Sequence, residues 1–518
     1  MDFLKEVKKA TNLTTTENGA GAYKSTLNAN LDAFGVMGSM RREDESEILH
    51  LFIKAFNEDR ETAMRLIFYM RDIRGGQGAR RVFRVCMKWL AKNYPEYVIN
   101  NLDNFLEYGR GDDVLELFDT AIENDVITWM YETLRKDYLN FKANKSISLL
   151  AKWMPSENAS SQRSRILARR ICKKLNWSAK NYRIMLTTLR KYLDVVERNM
   201  SARQWSAINY EAVPSKAGLH YRNAFMAHDS NRYIQYLKDI AEGKAKVNAA
   251  ALFPVDITKE ITNRLYGSIQ QSERYLYDAM WNALPNYFEG KEETGICVVD
   301  TSGSMHGTPM DVALSLGMYC ADKCRGPFKG HFITFSEKPE LQEIWGTDIV
   351  DKVRNMSRAG WNMNTDLEKV FDLILNVAVK NHADPKDIPQ KLYIISDMQF
   401  DSARGAYNGW YRANPEPFMQ TMRRKYAKYG YELPMIVYWN VDTSNCGMFQ
   451  ETFEGENCCM VSGYSPSLFK AVIEGTTYEE VQSVKNGEVV RELRATLDPL
   501  IVMNTALYNE RYDKVWVG

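Results

Sequence analysis

Apolar residues recur at three- and four-residue spacing through the first part of the chain. "SEILHLFIKAFNEDRETAMRLIFYMRDI" and "ARRVFRVCMKWLAKNYPEYVINNLDNFLEYG" both read as amphipathic helices, punctuated at Gly75-Gly76, Pro95 and Gly109. No fixed repeat period is visible. A series of helix pairs without strands suits an irregular α-solenoid, so residues 1–289 are expected to be all-α. Near residue 290 the pattern changes. "TGICVVD", "GHFITFS", "QKLYIISD" and "PMIVYWNV" are short apolar runs rich in β-branched and aromatic residues. Between them lie the amphipathic stretches "MDVALSLGMYCADKC", "TDLEKVFDLILNVAVKN" and "PEPFMQTMRRKYAKYG". Strands alternating with helices predict a mostly parallel, doubly wound sheet over residues 290–475. Residues 476–518 are expected to add a helix, "YEEVQSVKNGEVVRELRATL", and an apolar tail packed back on the body, because Trp516 and Val517 are costly in water.

Length and composition agree with this division. A chain of 518 residues exceeds what one core supports, and 45% hydrophobic and 12% aromatic residues suffice for more than one. The first thirty residues hold no apolar signal core, and no run of about 18 apolar residues occurs, so a cytoplasmic protein without a membrane span is expected. Eight scattered cysteines form no disulfide framework; Cys320 and Cys324, one helical turn apart, read as core residues. The net charge of +1 conceals an asymmetry. Between Lys142 and Arg203 fifteen Lys and Arg face three acids, and Arg71 to Lys92 holds seven cations against Asp72.

The stretch "CVVDTSGSMHG" carries the most chemistry. Asp300, Ser302 and Ser304 alternate along a turn after an apolar strand, with Gly303 permitting a tight path, and Asp397 ends a second strand, "LYIIS". In doubly wound sheets ligands bind beyond the carboxyl ends of strands. Hard divalent cations prefer oxygen donors and keep some water, so carboxylates with hydroxyls suit Mg²⁺ or Mn²⁺. Thr365, in "GWNMNTD", opens a helix and could add a third hydroxyl. His306 reads as a loop residue, and an ordinary turn that holds no ion is the plain alternative. The set Asp300, Ser302, Ser304, Thr365 and Asp397 resembles the metal-ion-dependent adhesion site of von Willebrand factor A domains, a Rossmann-like fold, over roughly residues 290–475. That resemblance implies Mg²⁺, or Mn²⁺ or Ca²⁺, held by the hydroxyls and aspartates, with a protein partner's acidic side chain completing the shell. Haloacid-type phosphotransferases would need an acid where Ser302 stands, and six histidines leave few general bases, so no catalysis is expected.

A helical region followed by such a domain resembles the Ro autoantigen family, whose helical part is the TROVE module. "LIFYMRDIRGGQGARRVFR", "FLEYGRGDDVLELFD" and "ALFPVDITKEI" carry the likeness. "TNLTTTENGAGAYKSTLNANLDAFGVMGSMR" and "KWMPSENASSQRSR" are similar to uncharacterised Ro-like proteins of plants, bacteria and phages. The resemblance implies a ring of HEAT-like helical repeats binding noncoding or misfolded RNA: single-stranded ends in its hole, Y-like structured RNA on its outer face. The residues point the same way in "SSQRSRILARRICKKL". On a helical wheel Leu167, Ile171 and Leu175 share one arc, while Arg163, Arg165, Arg169, Arg170, Lys173 and Lys174 fill the opposite half, interrupted only by Ile166. Ser160 or Ser161 would cap it. Such a face suits phosphates, although a solvated face paired with acids from neighbouring helices explains it too. Further candidates are Arg80 and Arg81 after the glycine-rich "RGGQGA", and Lys216, His220 and Arg222 in "VPSKAGLHYRNAFMAH". Trp153, Trp177, Tyr182 and Trp205 lie among the cations and could stack on bases, or fill the core. Three readings stay open: a non-catalytic RNA-binding protein, an ion-dependent protein-assembly adaptor without RNA, and a metal-dependent hydrolase.

Overall fold

The computed structural model describes residues 7, 11–16, 20–291, 294–335, 339–357, 366–400, 418–442, 448–485 and 488–518. A short antiparallel pair, β1 (Leu13–Thr15) and β2 (Gly21–Tyr23), opens the described chain. Helices of eight residues or more then follow: α1 (Ala29–Val36), α2 (Glu45–Glu58), α3 (Arg60–Arg71), α4 (Arg80–Asn93), α5 (Glu123–Lys142) and α6 (Gln162–Lys174). After these come α7 (Ala179–Tyr192), α8 (Ser215–His228), α9 (Ser230–Ala241), α10 (Pro254–Thr262) and α11 (Gln271–Asn282). The α/β part begins with β3 (Gly295–Asp300) and α12 (Thr308–Lys323), then β4 (His331–Phe335), β5 (Glu340–Glu343), α13 (Ile349–Met356) and α14 (Glu368–Asn381). It continues with β6 (Lys391–Ser396), α15 (Phe418–Ala427), β7 (Met435–Asn440), β8 (Cys458–Ser462) and α16 (Ser467–Glu474). A hairpin of β9 (Thr476–Lys485) and β10 (Glu488–Leu497) precedes α17 (Pro499–Leu507). The chain is thus helical first and α/β second, as the hydrophobic pattern predicts. No described helix is long and apolar enough to cross a membrane, and the seven described cysteines are free and buried.

Six strands form one sheet in the order β5-β4-β3-β6-β7-β8, parallel except where β5 runs against β4. Every residue of β3, β6, β7 and β8 is buried, which is why they read as unbroken apolar runs rather than alternating ones. Helix α12 lies close on β3: a Cβ at Gly317 would stand 2.6 Å from Val299 Cγ2. The pattern missed two strands of this sheet, and the β1–β2 pair lies in the stretch expected to hold helices alone. β5 is a short polar edge, and β8 is the five-residue "CCMVS".

The chain resolves into two compact units, Met1–Glu43 with His50–Ala63 and Leu252–Asn509, and Asp44–Leu49 with Met64–Ala251 and Glu510–Gly518. The stretch 1–289 therefore contributes to both. In the α/β unit the N-terminal residues cover the β8 edge: Gly38 N donates to Ser462 Oγ (2.9 Å), Ser462 Oγ to Phe34 O (2.8 Å) and Tyr23 N to Phe449 O (2.7 Å).

The expected helix over "YEEVQSVKNGEVVRELRATL" is a correction: these residues form the β9–β10 hairpin, paired from Thr476↔Leu497 to Lys485↔Glu488. The β-branched residues and the Asn-Gly step at 486–487 are hairpin signals in the sequence, and they outweigh a weak helical spacing.

In the helical unit the chain end is sewn onto the helices. Arg511 pairs with Asp72 through two nitrogens, and Tyr108 Oη donates to Arg511 O (2.5 Å). Asn104 Nδ2 reaches Lys514 O (2.8 Å), while Asn101 binds both Trp516 O and Trp516 N (2.9 Å each). Rings of Phe68, Phe83, Phe105 and Tyr108 pack at 5.0–6.3 Å beneath.

Candidate metal centre and nucleic-acid interface

Strands β3 and β6 are neighbours in register, so the residues that end them converge. Asp300 and Asp397 are both fully buried. Asp300 Oδ1 accepts from Ser302 N (2.9 Å) and Oδ2 from Ser396 Oγ (2.6 Å). Asp397 Oδ1 accepts from Gln399 N (3.1 Å), but Asp397 Oδ2 is buried with no hydrogen-bond partner. The hydroxyls of Ser302 and Ser304 lie 3.1 Å apart, with Ser302 buried and Ser304 exposed at the mouth. Gly307, with φ at +93°, lets the loop turn back into α12, a conformation that side chains disfavour.

Burial, and then the charge of Asp397, push the Asp300 carboxyl up to about 7 against the opposing Ser396 and Ser302 bonds. Asp397 is raised too: burial leads, the Ser304 hydroxyl and Gln399 N–H oppose it, and Asp442 adds to the rise. No salt bridge reaches Asp300 or Asp397 among the described residues. Two buried carboxylates without a counter-charge, one with an orphan oxygen, fit a hard cation whose charge would offset their desolvation. Among the described residues no three His, Cys, Asp or Glu side chains group to hold an ion, so the donors here are two carboxylates and hydroxyls. Thr365 lies outside the described residues.

Sequence reasoning passed over the rim of this centre. Asp442 follows β7 as Asp300 ends β3, so position at a strand's carboxyl end was the available signal. Arg42 Nη2 donates to Thr308 Oγ1 (3.1 Å) at the start of α12, and Arg41 lies 4.1 Å over the ring of Tyr464. Those pairings join residues remote in the chain and carry no local signature.

The basic candidates fare unevenly. α6 begins at Ser161, whose hydroxyl accepts from Ser164 N (3.3 Å). Arg163 pairs with Glu116 (3.1 Å), and Arg170 pairs with Asp119 (2.6 Å) and with both oxygens of Glu123. Arg165 donates to Ala159 O (2.8 Å) and Ser160 O (2.9 Å), and Lys174 to Asn124 Oδ1 (3.0 Å). Arg169 and Lys173 are exposed and have no carboxylate partner among the described residues. On α7 the exposed Lys180, Arg183 and Lys191 extend the same kind of surface. Near the glycine-rich turn, Arg74 N and Gly75 N both donate to Asp72, so these amides are engaged within the turn; Arg80 is exposed and Arg81 half-buried. Lys216 and His220 are exposed on α8, while Arg222 donates to Leu219 O (2.6 Å). Of the aromatics, Tyr182 is buried with its hydroxyl on Pro155 O (2.7 Å), a core role.

Comparison with other proteins places the chain. A family model described as Domain of unknown function (DUF7788) matches residues 294–507, and one described as Domain of unknown function (DUF2828) matches 16–110 and 178–287. Over 509 residues the chain is 30% identical to "Uncharacterized protein L728" of Acanthamoeba polyphaga mimivirus, covering 90% of this chain and 86% of that protein. The chain belongs to the family of that mimivirus protein. Within the DUF7788 match lie Asp300, Ser302, Ser304 and Asp397, together with the β9–β10 hairpin. Helix α6 lies in the stretch 111–177 that neither match covers, whereas α7 from Ala179 and α8 fall in the second.

Proposed function

We propose that the chain is a non-catalytic, Ro-like RNA-binding protein whose α/β unit is a von Willebrand A-type adhesion domain. The observation that carries the RNA part is the row of exposed cations on α6 and α7. Arg169, Lys173, Lys174, Lys180, Arg183 and Lys191 have no carboxylate partner among the described residues. Without such partners they are free to displace counterions from a phosphate backbone. In the α/β unit Asp300, Ser302, Ser304 and Asp397, with Thr365 by resemblance, would hold Mg²⁺, Mn²⁺ or Ca²⁺. When bound, the cation supplies a Lewis-acid anchor for the carboxylate of a protein partner. Arg42, held beside the same loop by Thr308, adds a positive charge toward that acid.

Salt-titrated binding of the full chain to single-stranded RNA, to a duplex with a single-stranded 3′ tail and to a matched blunt duplex tests this. Binding that favours the free end and weakens steeply with salt is expected. Failure to bind any of the three at moderate salt overturns the RNA part. The second reading, an ion-dependent protein adaptor without RNA, draws on Arg163 and Arg170 being engaged by Glu116, Asp119 and Glu123. It would gain from partner capture that requires the cation and survives ribonuclease. Metal-dependent turnover lost in Asp300→Ala would instead support a hydrolase.

A further inference from the structure

We infer that the helical unit holds a pocket for a phosphorylated nucleoside, formed where α4 and α6 flank the turn at residues 115–121. This extends the RNA-binding reading, yet a free nucleotide tests it without any RNA. The cavity is about 860 Å³, within the range of small-molecule sites, and its walls differ. The α4 wall is cationic, with Lys88 and Lys92. The α6 wall is apolar at Ile166 and Leu167 and carries Arg163 one turn before them, and the acids Glu116 and Asp119 line the turn between the helices.

Charge bookkeeping favours an anion at the cationic wall. Glu116 alone accepts from Arg84 (3.2 Å), Lys88 (3.4 Å) and Arg163 (3.1 Å). Arg84 also draws on Asp112 and Asp113, but those acids serve Arg110 and Arg71 as well. Lys92, one turn beyond Lys88 on α4, is exposed with no carboxylate partner among the described residues. Two carboxylates, Glu116 and Asp119, thus stand against four cations at the pocket, Lys88, Lys92, Arg163 and Arg170. Arg170, by contrast, is saturated by Glu123 and Asp119 and acts as a fixed wall.

The apolar wall accounts for an oddity of the helical wheel. Ile166 is the apolar residue that interrupts the charged half of α6, and it is 53% exposed at the cavity. Exposed apolar area is unfavourable by roughly 25 cal/mol per Å², so a flat apolar ring laid on Ile166 and Leu115 would gain from covering it. A group with a flat ring at one end and a phosphate at the other, of a size to fit here, is a nucleotide. The shared chemistry admits two sources, a free mononucleotide or the phosphorylated end of an RNA.

Calorimetric titration of the full chain with AMP, adenosine and inorganic phosphate tests the pocket. AMP should bind at least about tenfold more tightly than either fragment, and Lys92→Glu and Ile166→Asp should each weaken it about tenfold or more. Lys136→Glu, on the exposed face of α5, should leave AMP binding unchanged. AMP binding no tighter than phosphate, or unaffected by Lys92→Glu and Ile166→Asp, overturns the inference. Oligonucleotides with phosphate or hydroxyl ends separate the sources. A preference for phosphate ends that Lys92→Glu erases supports an RNA end; AMP binding without that preference supports a free nucleotide. RNA that binds while AMP does not would sink the pocket and leave the RNA reading standing.

Discussion

Two buried acids of the α/β unit and two of the helical unit meet their charge in opposite ways. At the ends of β3 and β6 two aspartates are buried without a cation, and one of their oxygens meets no donor. Two buried acids of the helical unit are matched by cations: Asp113 accepts from Arg71 Nε (2.7 Å), Arg84 Nε (2.6 Å) and Arg110 N (2.9 Å), and Asp72 takes Arg511. An unmatched buried acid is a place where something from outside can bind; a matched one is part of the framework. The same contrast divides α6, where Arg170 is framework and Arg169 is surface.

The largest test of this contrast removes one acid from each unit. Asp113→Ala should destabilise the helical unit by about 3–5 kcal/mol in chemical denaturation, because Arg71 would be left buried without its partner. Asp397→Asn, measured in chelator, should be neutral or stabilising, since Asn can still accept from Gln399 N while a buried charge disappears. Equal losses would erase the distinction. Next in size is the cation itself. At about a hundredfold excess over its Kd, Mg²⁺ should add about 2.7 kcal/mol to the wild type, and Asp397→Asn or Asp300→Ala should abolish that gain. A gain that survives both substitutions would move the site elsewhere.

A smaller effect is expected on the RNA face. Replacing Arg169, Lys173, Lys180 and Arg183 with Ala should reduce the slope of log K against log salt by roughly 3 for single-stranded RNA. Replacing Arg163 and Arg170 should change that slope less and lower stability instead, because their acids lose partners. The smallest concerns an acid of the α/β unit that has found its cation. Burial opposes ionisation of Asp322, but Lys352 Nζ (2.6 Å) and Trp281 Nε1 (2.9 Å) outweigh it and hold the carboxyl below its ordinary value of 3.8. Its contribution to stability is therefore complete above 3.8 and is lost as pH falls through the depressed value. Asp322→Asn should flatten the acid limb of the stability profile, and an unchanged limb would mean that the pair contributes nothing.

Much of the architecture was legible because it is written in short range. A buried parallel strand must be apolar on both faces, so "CVV" and "LYII" announced themselves, and the acids that follow them had to emerge at one end of the sheet. Hence Asp300, Ser302, Ser304 and Asp397 could be named from spacing. The polar edge β5 and the hairpin β9–β10 were not legible in that way. An edge strand has no buried face to declare it, and the long strands of a hairpin carry charges that mimic helical spacing. The charge surplus between Lys142 and Arg203 could not be apportioned from the sequence for a different reason. Glu116, Asp119 and Glu123 lie outside that window, and only folding brings them against α6.

What the sequence by itself determined, then, is the order of helical and α/β parts, the strands that carry the paired aspartates, and the cap that starts α6. Periodicity and capping act within a few residues, so they survive without knowledge of the fold. The tertiary structure alone decided which charges are spent and which remain. It placed Arg42 beside Thr308, tied the chain end to Asp72, and left Asp397 Oδ2 and Lys92 without an acidic or basic counterpart among the described residues. Electrostatic pairing depends on distances between residues hundreds of positions apart, and no local pattern encodes those.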